Sequence, residues 1–286
     1  MPIQYLGGKA RLAKKIAAVV DAQRAPGEAA WDLCCGSGRV VAALSDRGPR
    51  YGVDVVPSLI ALLCEVRDGI FVPPAEVTRE QYAELKARAL ANPLDDDPLL
   101  AFAGFGLAFA GMWFASYAKN APHHAHDYLG AATRNCERAR LKMQGAQYIC
   151  APWQSLVDRI SGTVYIDPPY ANTAGYKAAP PHDPVAFWRD ADALVERDGV
   201  RAVFVSEYQA PAHWTEIARW DRKKSINHGT CIERLFTRAK YQGGKVENGA
   251  EIARERAEAA CSISDIAGGA SKEAPAKISV LESVPA

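Results

Sequence analysis

Several features are missing from this 286-residue chain, and each absence excludes a class of protein. No apolar run is long enough to span a bilayer, since even the segment 99–115 is interrupted by glycines. The N-terminus lacks the charged-then-apolar layout of a secretory signal. The net charge is only +1, so any contact with nucleic acid must come from a local cluster of Lys and Arg.

A disulfide or metal-binding cysteine pattern is also missing. The cysteines are odd in number and contain no CxxC pair, which predicts reduced thiols in a cytoplasmic protein without a zinc site. The three neighbouring histidines have no cysteine or acid at ligand spacing, so we expect a solvated loop and no metal. These residues are Cys34, Cys35, Cys64, Cys136, Cys150, Cys231 and Cys261, with His123, His124 and His126.

What is present is an alternation of strand and helix patterns. Apolar residues at helical spacing in 9–20 predict a first helix, which is followed by a strand at 28–34 and a glycine turn. After the turn come a helix through Val40, Val41 and Leu44, a strand at 51–54 and a helix from Pro57. The rhythm resumes with strands at 147–150, 163–167 and 201–206 and a helix near 184–197. This order predicts an α/β fold with a parallel sheet.

The alternation is interrupted in the middle of the chain and ends before the C-terminus. Residues 71–145 predict helices at 78–91, where Thr78 and Gln81 have capping-box spacing, and at about 127–142. We therefore expect one domain formed by 1–70 and 146–240, with 71–145 as a mostly helical insertion. The tail 241–286 is rich in Ala, Glu, Gly and Ser, which predicts disorder.

A glycine turn after the first strand predicts a ligand site. Asp32 ends the strand, and Gly36 and Gly38 allow close approach of a ligand to the backbone before the following helix. The dinucleotide fingerprint has a third glycine three residues after the second. Val41 occupies that position here, which argues against NAD binding. The segment 5–9 resembles part of a phosphate-binding loop, but it lacks a preceding strand and a following Ser or Thr.

Asp54 follows sixteen residues after Gly38, at the end of the next strand, where an acid can accept hydrogen bonds from ribose hydroxyls. A nucleoside-bearing cofactor with an amino acid at its far end, such as S-adenosylmethionine, fits both features. Lys9, preceded by Gly7 and Gly8, can neutralise a carboxylate. The alternatives are that Asp54 caps the helix that begins at Pro57 and that the N-terminus is simply flexible.

The segment 163–170 is the most informative in the chain. An apolar β-branched run ends in Asp167, Pro168, Pro169 and Tyr170. The prolines remove two backbone N–H donors, so the turn offers acceptors and an aromatic face to an amine such as that of a nucleobase. The alternative is an ordinary proline-rich turn in which Asp167 makes a local cap.

In this order, the motifs resemble the DNA adenine methylase (Dam-like) family, in its bacteriophage and prophage branch. The resemblance spans about 3–238 and includes 7–9, Asp32-x-x-x-Gly36-x-Gly38, Asp54, 102–117, 167–170, 205–206 and 233–236. It implies a Rossmann-like S-adenosylmethionine-dependent methyltransferase sheet and transfer of a methyl group to adenine N6 in double-stranded DNA. By this resemblance Tyr5, Lys9, Asp54 and Asp167 contact the cofactor, 167–170 holds the adenine, and the insertion recognises the target.

The chain departs from this family at two places. Cys34 and Cys35 stand where the family usually has an aromatic residue, and Pro152 stands where it usually supplies an acid to the cofactor's adenine. Two alternatives stay open: a methyltransferase acting on another planar nitrogen, in RNA or a protein amide, and a catalytically inactive DNA-binding relative.

Basic residues near the end of the insertion are the candidates for DNA contact. Arg134, Arg138 and Lys142 recur at four-residue steps and so share one helical face, and Lys119 precedes them. A second basic candidate is the segment 220–224. A solvated helix face would have the same spacing.

Overall fold

The computed structural model describes residues 4–5, 8–118, 127–170, 182–223 and 230–238. The predictions for Gly7, Lys119, the three neighbouring histidines and the tail lie outside these residues. The helices are α1 (Ala13–Gln23), α2 (Pro57–Asp68), α3 (Arg79–Ala91), α4 (Pro98–Ala101), α5 (Tyr128–Met143) and α6 (Pro184–Glu196). The strands are β1 (Ala30–Asp32), β2 (Arg50–Asp54), β3 (Ala146–Cys150), β4 (Gly162–Ile166), β5 (Val200–Glu207), β6 (Thr215–Lys223) and β7 (Thr230–Thr237).

The strands form one sheet in the order β3-β2-β1-β4-β5-β7-β6. Strands β1 to β5 pair in parallel, and β7 runs antiparallel to both β5 and β6. The strand order reverses between β1 and β4, and open α/β sheets bind ligands beyond the carboxyl ends of the strands at such a reversal. The α/β class and the Rossmann-like parallel sheet predicted from the sequence are confirmed.

Burial on both faces explains the composition of the central strands. All residues of β1 and β4 are buried, whereas the edge strand β3 has exposed residues between buried ones. A parallel strand covered on both faces needs apolar residues at successive positions. The apolar run before Asp167 therefore belongs to the middle of the sheet, and Asp167 follows it at the carboxyl edge.

The helix boundaries follow local capping rules. The predicted capping box of α3 is confirmed: the Thr78 hydroxyl accepts from the Gln81 amide at 3.1 Å, and the Gln81 side chain accepts from the Thr78 amide at 2.7 Å. Helix α2 begins at Pro57, where a missing N–H costs nothing, and stops before Gly69, whose φ is 73°. None of the described helices is both long enough and apolar enough to cross a membrane.

Residues of 71–145 share an apolar core with the sheet's helices. One buried cluster joins side chains of α2, the aromatic segment after α4 and α5, among them Leu59, Leu63, Phe102, Phe105 and Met143. Residues 102–106 form a short π-helix that is buried throughout. Helices α4 and α5 thus pack against α2, whereas α3 packs on α4 and on the π-helix.

Two predictions about secondary structure are wrong. The helix after the glycine turn is only one turn of 3₁₀ helix, Val41–Ala43, because the turn-forming residues 45–49 follow at once and the chain re-enters the sheet at Arg50. The Arg24 guanidinium binds the Ser45 and Pro49 carbonyls at 2.9 Å each and holds this short connection. The strand at 28–34 is also shorter than predicted, at Ala30–Asp32.

Candidate active site

A cavity of about 260 Å³ opens at the carboxyl ends of β1, β2 and β4, beside the reversal of strand order. Its wall brings together most of the residues that the sequence predicted for a cofactor site. They are Tyr5, Lys9, Asp32, Gly36, Asp54 and Asp167, joined by Pro169. These residues come from four separate parts of the chain, so the fold assembles a site that no single motif contains.

The glycine turn is shaped by two tyrosine rings. Gly36 and Gly38 have φ values of 48° and 70°, a region that side chains other than glycine rarely adopt. A Cβ on Gly36 would lie 3.0 Å from the Tyr5 ring, and one on Gly38 would lie 3.1 Å from Tyr148. The glycines therefore permit close packing of Tyr5 and Tyr148 on the turn as well as the approach of a ligand.

Asp54 stabilises the glycine turn and lines the cavity. Its carboxylate accepts from the Gly36 amide at 2.9 Å and from the Val56 amide at 3.2 Å. The alternative that it caps α2 is wrong, since the N-cap residue is Val56 and no side chain caps that end. Burial raises the pKa of Asp54, and the amides of residues 36, 56 and 55 oppose the rise. A carboxylate has further acceptor sites, so hydroxyls in the cavity can still bind it.

Asp32 is buried and incompletely satisfied. Its Oδ1 atom has no hydrogen-bond partner among the described residues. Burial and the nearby Asp167 charge raise the pKa of Asp32, while a hydrogen bond from the Cys34 backbone lowers it. A buried acceptor without a donor is costly, so a cationic donor entering the cavity would bind favourably at this atom.

Lys9 is the centre of a buried charge cluster. Its ammonium lies 2.7 Å from Asp167 Oδ1, 2.9 Å from the Tyr170 hydroxyl and 3.0 Å from Glu233 Oε1. The Tyr170 hydroxyl in turn donates to Glu233. The three N–H donors of the ammonium therefore have three acceptors, two of them carboxylates.

The charges in this cluster perturb one another. Burial lowers the pKa of Lys9, but Asp167, Tyr165 and Glu233 oppose it and the net pKa is raised above its ordinary value of 10.5. Burial also raises the pKa of Glu233, an effect that Lys9 opposes and Asp167 strengthens. Lys9 is therefore held in its charged form at neutral pH.

The segment 167–170 follows β4 and turns Tyr170 towards this cluster. The Lys9 ammonium lies 4.8 Å from the centre of the Tyr170 ring, whose edge-on neighbour is Tyr208 at 4.7 Å between ring centres. Asp167 Oδ1 contacts a residue 158 positions away, which connects this turn to the N-terminal part of the chain.

The departures from the resembled family also lie at the cavity. Pro152 and Trp153 line it and begin the 3₁₀ helix Trp153–Arg159, so an apolar surface stands where an acid was expected. Cys34 and Cys35 line it as well, and burial together with the Asp54 charge raises the pKa of both thiols. Among the described residues, no group of three or more metal-ligating side chains is arranged to hold a metal ion.

The candidate DNA residues lie on α5 and not in the cavity wall. Arg134, Arg138 and Lys142 are exposed, while the opposite face of the helix buries Cys136 and Met143. Arg134 pairs with Asp127 at 3.2 Å. The three cations share an exposed face, as the spacing predicted.

Two residues of the site were not predicted. Glu233 is fully buried in β7, and the signal for it was a single acid in the stretch 230–238, next to Arg234. Arg39 lines the cavity directly after the glycine turn. No local pattern distinguishes it from a solvated arginine.

Comparisons with known proteins add little to this geometry. No family model matches the sequence. No curated protein matches it either. Among solved structures, a conserved protein without assigned function from Streptococcus pyogenes matches with TM-score 0.30 and 11% identity over 75% of this chain and 88% of its own. YhhF from Escherichia coli, provisionally described as a methyltransferase, matches with TM-score 0.34 and 12% identity over 84% and 92%. At these scores the fold assignment rests on the strand order alone.

Proposed function

We propose that this protein is an S-adenosylmethionine-dependent methyltransferase that modifies adenine N6 in double-stranded DNA. The observation that carries the proposal is the position of 167–170. This acceptor-rich turn ends the central strand β4 and borders a cavity whose other wall has the glycine turn and Asp54. An amine acceptor and a nucleoside-sized site thus share one opening.

The residues of the cavity fit S-adenosylmethionine, which supplies a methyl group on a positively charged sulfur when bound. Asp32 Oδ1 is a buried acceptor that the cofactor's ammonium would satisfy. Asp54 offers remaining acceptor sites for ribose hydroxyls, and the glycine turn leaves the backbone accessible. Three acids in the wall, Asp32, Asp54 and Asp167, favour a ligand with two positive charges.

The turn explains how this chain would activate adenine. The N6 lone pair is delocalised into the ring, which makes the amine a poor nucleophile. Asp167 and the Pro168 carbonyl would each accept one N6 proton, which favours a pyramidal nitrogen with its lone pair available for attack. Stacking on Tyr170 would offset part of the cost of extruding the base from the duplex. The contribution of the chain is then positioning and hydrogen bonding.

The proposal is tested with calorimetry and with DNA from cells that express the protein. We expect S-adenosylmethionine to bind and single-molecule sequencing to show modified adenine in a short motif. Failure of the cofactor to bind would favour an inactive DNA-binding relative. Pro152 in the cavity wall is the feature that supports this alternative, because it stands where an acid was expected. Cofactor binding with methyl transfer only to RNA or protein would instead identify another planar nitrogen as the acceptor.

DNA binding should depend on the exposed face of α5. Changing Arg134, Arg138 and Lys142 to Ala is expected to weaken binding to all DNA sequences, because phosphate contacts are lost. The slope of log K against log salt should fall by roughly 1 for each contact removed. Titrations at several salt concentrations measure both quantities. An Arg189→Ala control removes an exposed charge on α6, and an unchanged slope in the triple variant would remove this face from the interface.

A further inference from the structure

We propose that Arg39 binds the carboxylate of the cofactor's amino-acid end. The inference rests on the proposed function. It assigns the cationic side chain of the cofactor site to a residue that none of the sequence motifs contains. Among the described residues that line the cavity, the basic side chains are Lys9, Arg39 and His182. A zwitterionic amino-acid group needs an acid for its ammonium and a cation for its carboxylate, and Asp32 is the available acid.

Lys9 is committed elsewhere. Each of its three N–H groups has a protein acceptor, and two of these acceptors are the carboxylates of Asp167 and Glu233, at 2.7 and 3.0 Å. Binding a third carboxylate would require breaking one of these buried contacts. Lys9 therefore neutralises the protein's own acids.

The helix after the glycine turn is short. The sequence predicted a helix after the glycine turn, whose amides and dipole would attract a carboxylate. The structure has only a short helical stretch at this place, the 3₁₀ turn Val41–Ala43 together with the Ala42–Gly38 and Leu44–Val40 hydrogen bonds, 3.0 Å each. The positive end of a long helix, which favours anions, is thus missing beside Gly38.

Arg39 stands where such a charge is needed. It follows Gly38 directly, lines the cavity and passes close to the N-terminal segment, since its Nε lies 3.6 Å from where a Cβ on Gly8 would be. Its side chain is partly buried, and burial lowers the pKa of the guanidinium. A guanidinium binds a carboxylate through two parallel hydrogen bonds, which are stronger when water is partly excluded.

Asp32 and Arg39 also have a suitable arrangement in the chain. They stand at the two ends of the same tight connection, the acid at the end of β1 and the arginine after the second glycine. One short turn thus presents a negative and a positive group to the same cavity. This is the charge pattern that an amino-acid group requires.

The test compares two ligands that differ in the amino-acid end. S-adenosylhomocysteine has the carboxylate and 5′-methylthioadenosine lacks it, so Arg39→Gln is expected to weaken binding of the first about 10-fold and leave the second unchanged. Arg39→Lys, which keeps the charge but not the planar fork, should lose less. An exposed arginine, Arg11, supplies the matched control Arg11→Gln. Calorimetry measures all four proteins.

The outcomes separate the inference from the function on which it rests. Loss restricted to S-adenosylhomocysteine supports Arg39 as the carboxylate ligand. Equal loss of both ligands, or unchanged affinity for both, overturns this role while leaving the methyltransferase proposal intact. Failure of the unmodified protein to bind either nucleoside overturns the proposed function and the role of Arg39 with it.

Discussion

Replacing Asp167 with asparagine is expected to lower the rate of methyl transfer to DNA by about 10²-fold or more. Asparagine removes the negative charge, and its NH₂ group would face the adenine amine as a second donor. It would also give the Lys9 ammonium, now 2.7 Å from the carboxylate, only a neutral acceptor oxygen. The loss should appear in the single-turnover rate, because the hydrogen bond acts on the nitrogen as it becomes nucleophilic.

The measurement separates chemistry from binding. Single-turnover methylation gives the rate of the chemical step, and calorimetry with S-adenosylmethionine gives the affinity for the cofactor. Asp158→Asn is the control, since this acid has a highly exposed side chain that pairs with Arg197. A variant of Asp167 that methylates DNA at the normal rate would rule out its role as the amine acceptor.

The position of Asp167 could be predicted because its signals are local. An uninterrupted apolar run identifies a central strand, and the polar residue after such a run lies at the carboxyl edge of the sheet. The capping box of α3 was equally local, since Thr78 and Gln81 are three residues apart. Patterns of this kind depend on neighbours in the sequence, and the structure confirms them.

The charge cluster could not be predicted in the same way. Lys9 and Asp167 are 158 positions apart, and Tyr170 and Glu233 are 63 apart. Only the packing of the folded chain brings them together, because Lys9 precedes α1 and Glu233 lies in β7, and a single sequence contains no signal for such pairs. Lys9 was therefore assigned to a ligand by resemblance, although the structure gives it two protein carboxylates.

The hairpin formed by β6 and β7 was missed for a related reason. Strand β6 contains several charged residues, so the stretch 220–224 was interpreted as a basic patch. In the structure β6 has a bulge between Glu216 and Ala218, Ile217 is buried there, and Arg219 beyond it is mostly exposed. Without this hairpin, the buried position of Glu233 in β7 could not be inferred.

Glu233→Gln is expected to lower the single-turnover rate of methylation about 10- to 100-fold, which corresponds to the loss of a hydrogen-bonded charge. The glutamine keeps an acceptor oxygen but offers only a neutral partner to Lys9 and to the Tyr170 hydroxyl. Both groups border the amine-binding turn, so their displacement would disturb the placement of the adenine. Glu233 itself is not among the residues that line the cavity, which makes it a positioning residue.

The reaction of Glu233→Gln should be slower, but its free energy of unfolding should be higher than that of the unmodified protein. Burial raises the pKa of Glu233 above its ordinary value of 4.5, so the folded protein holds the proton more tightly than the unfolded chain. The contribution of Glu233 to the free energy of unfolding is therefore fully present below pH 4.5 and is lost as the pH rises through the raised pKa. Glutamine does not titrate, so Glu233→Gln should gain stability relative to the unmodified protein across this window.

Activity and stability together distinguish positioning from a structural role. Denaturant unfolding at several pH values measures the free energy of unfolding, and single-turnover methylation measures the rate. Glu196→Gln is the control, because this glutamate pairs with Arg238 but is about half exposed. A slower reaction without lower stability at neutral pH is the expected result. If activity and stability fell in parallel, Glu233 would be a structural residue, and the link from β7 through Lys9 to Asp167 would have no part in the reaction.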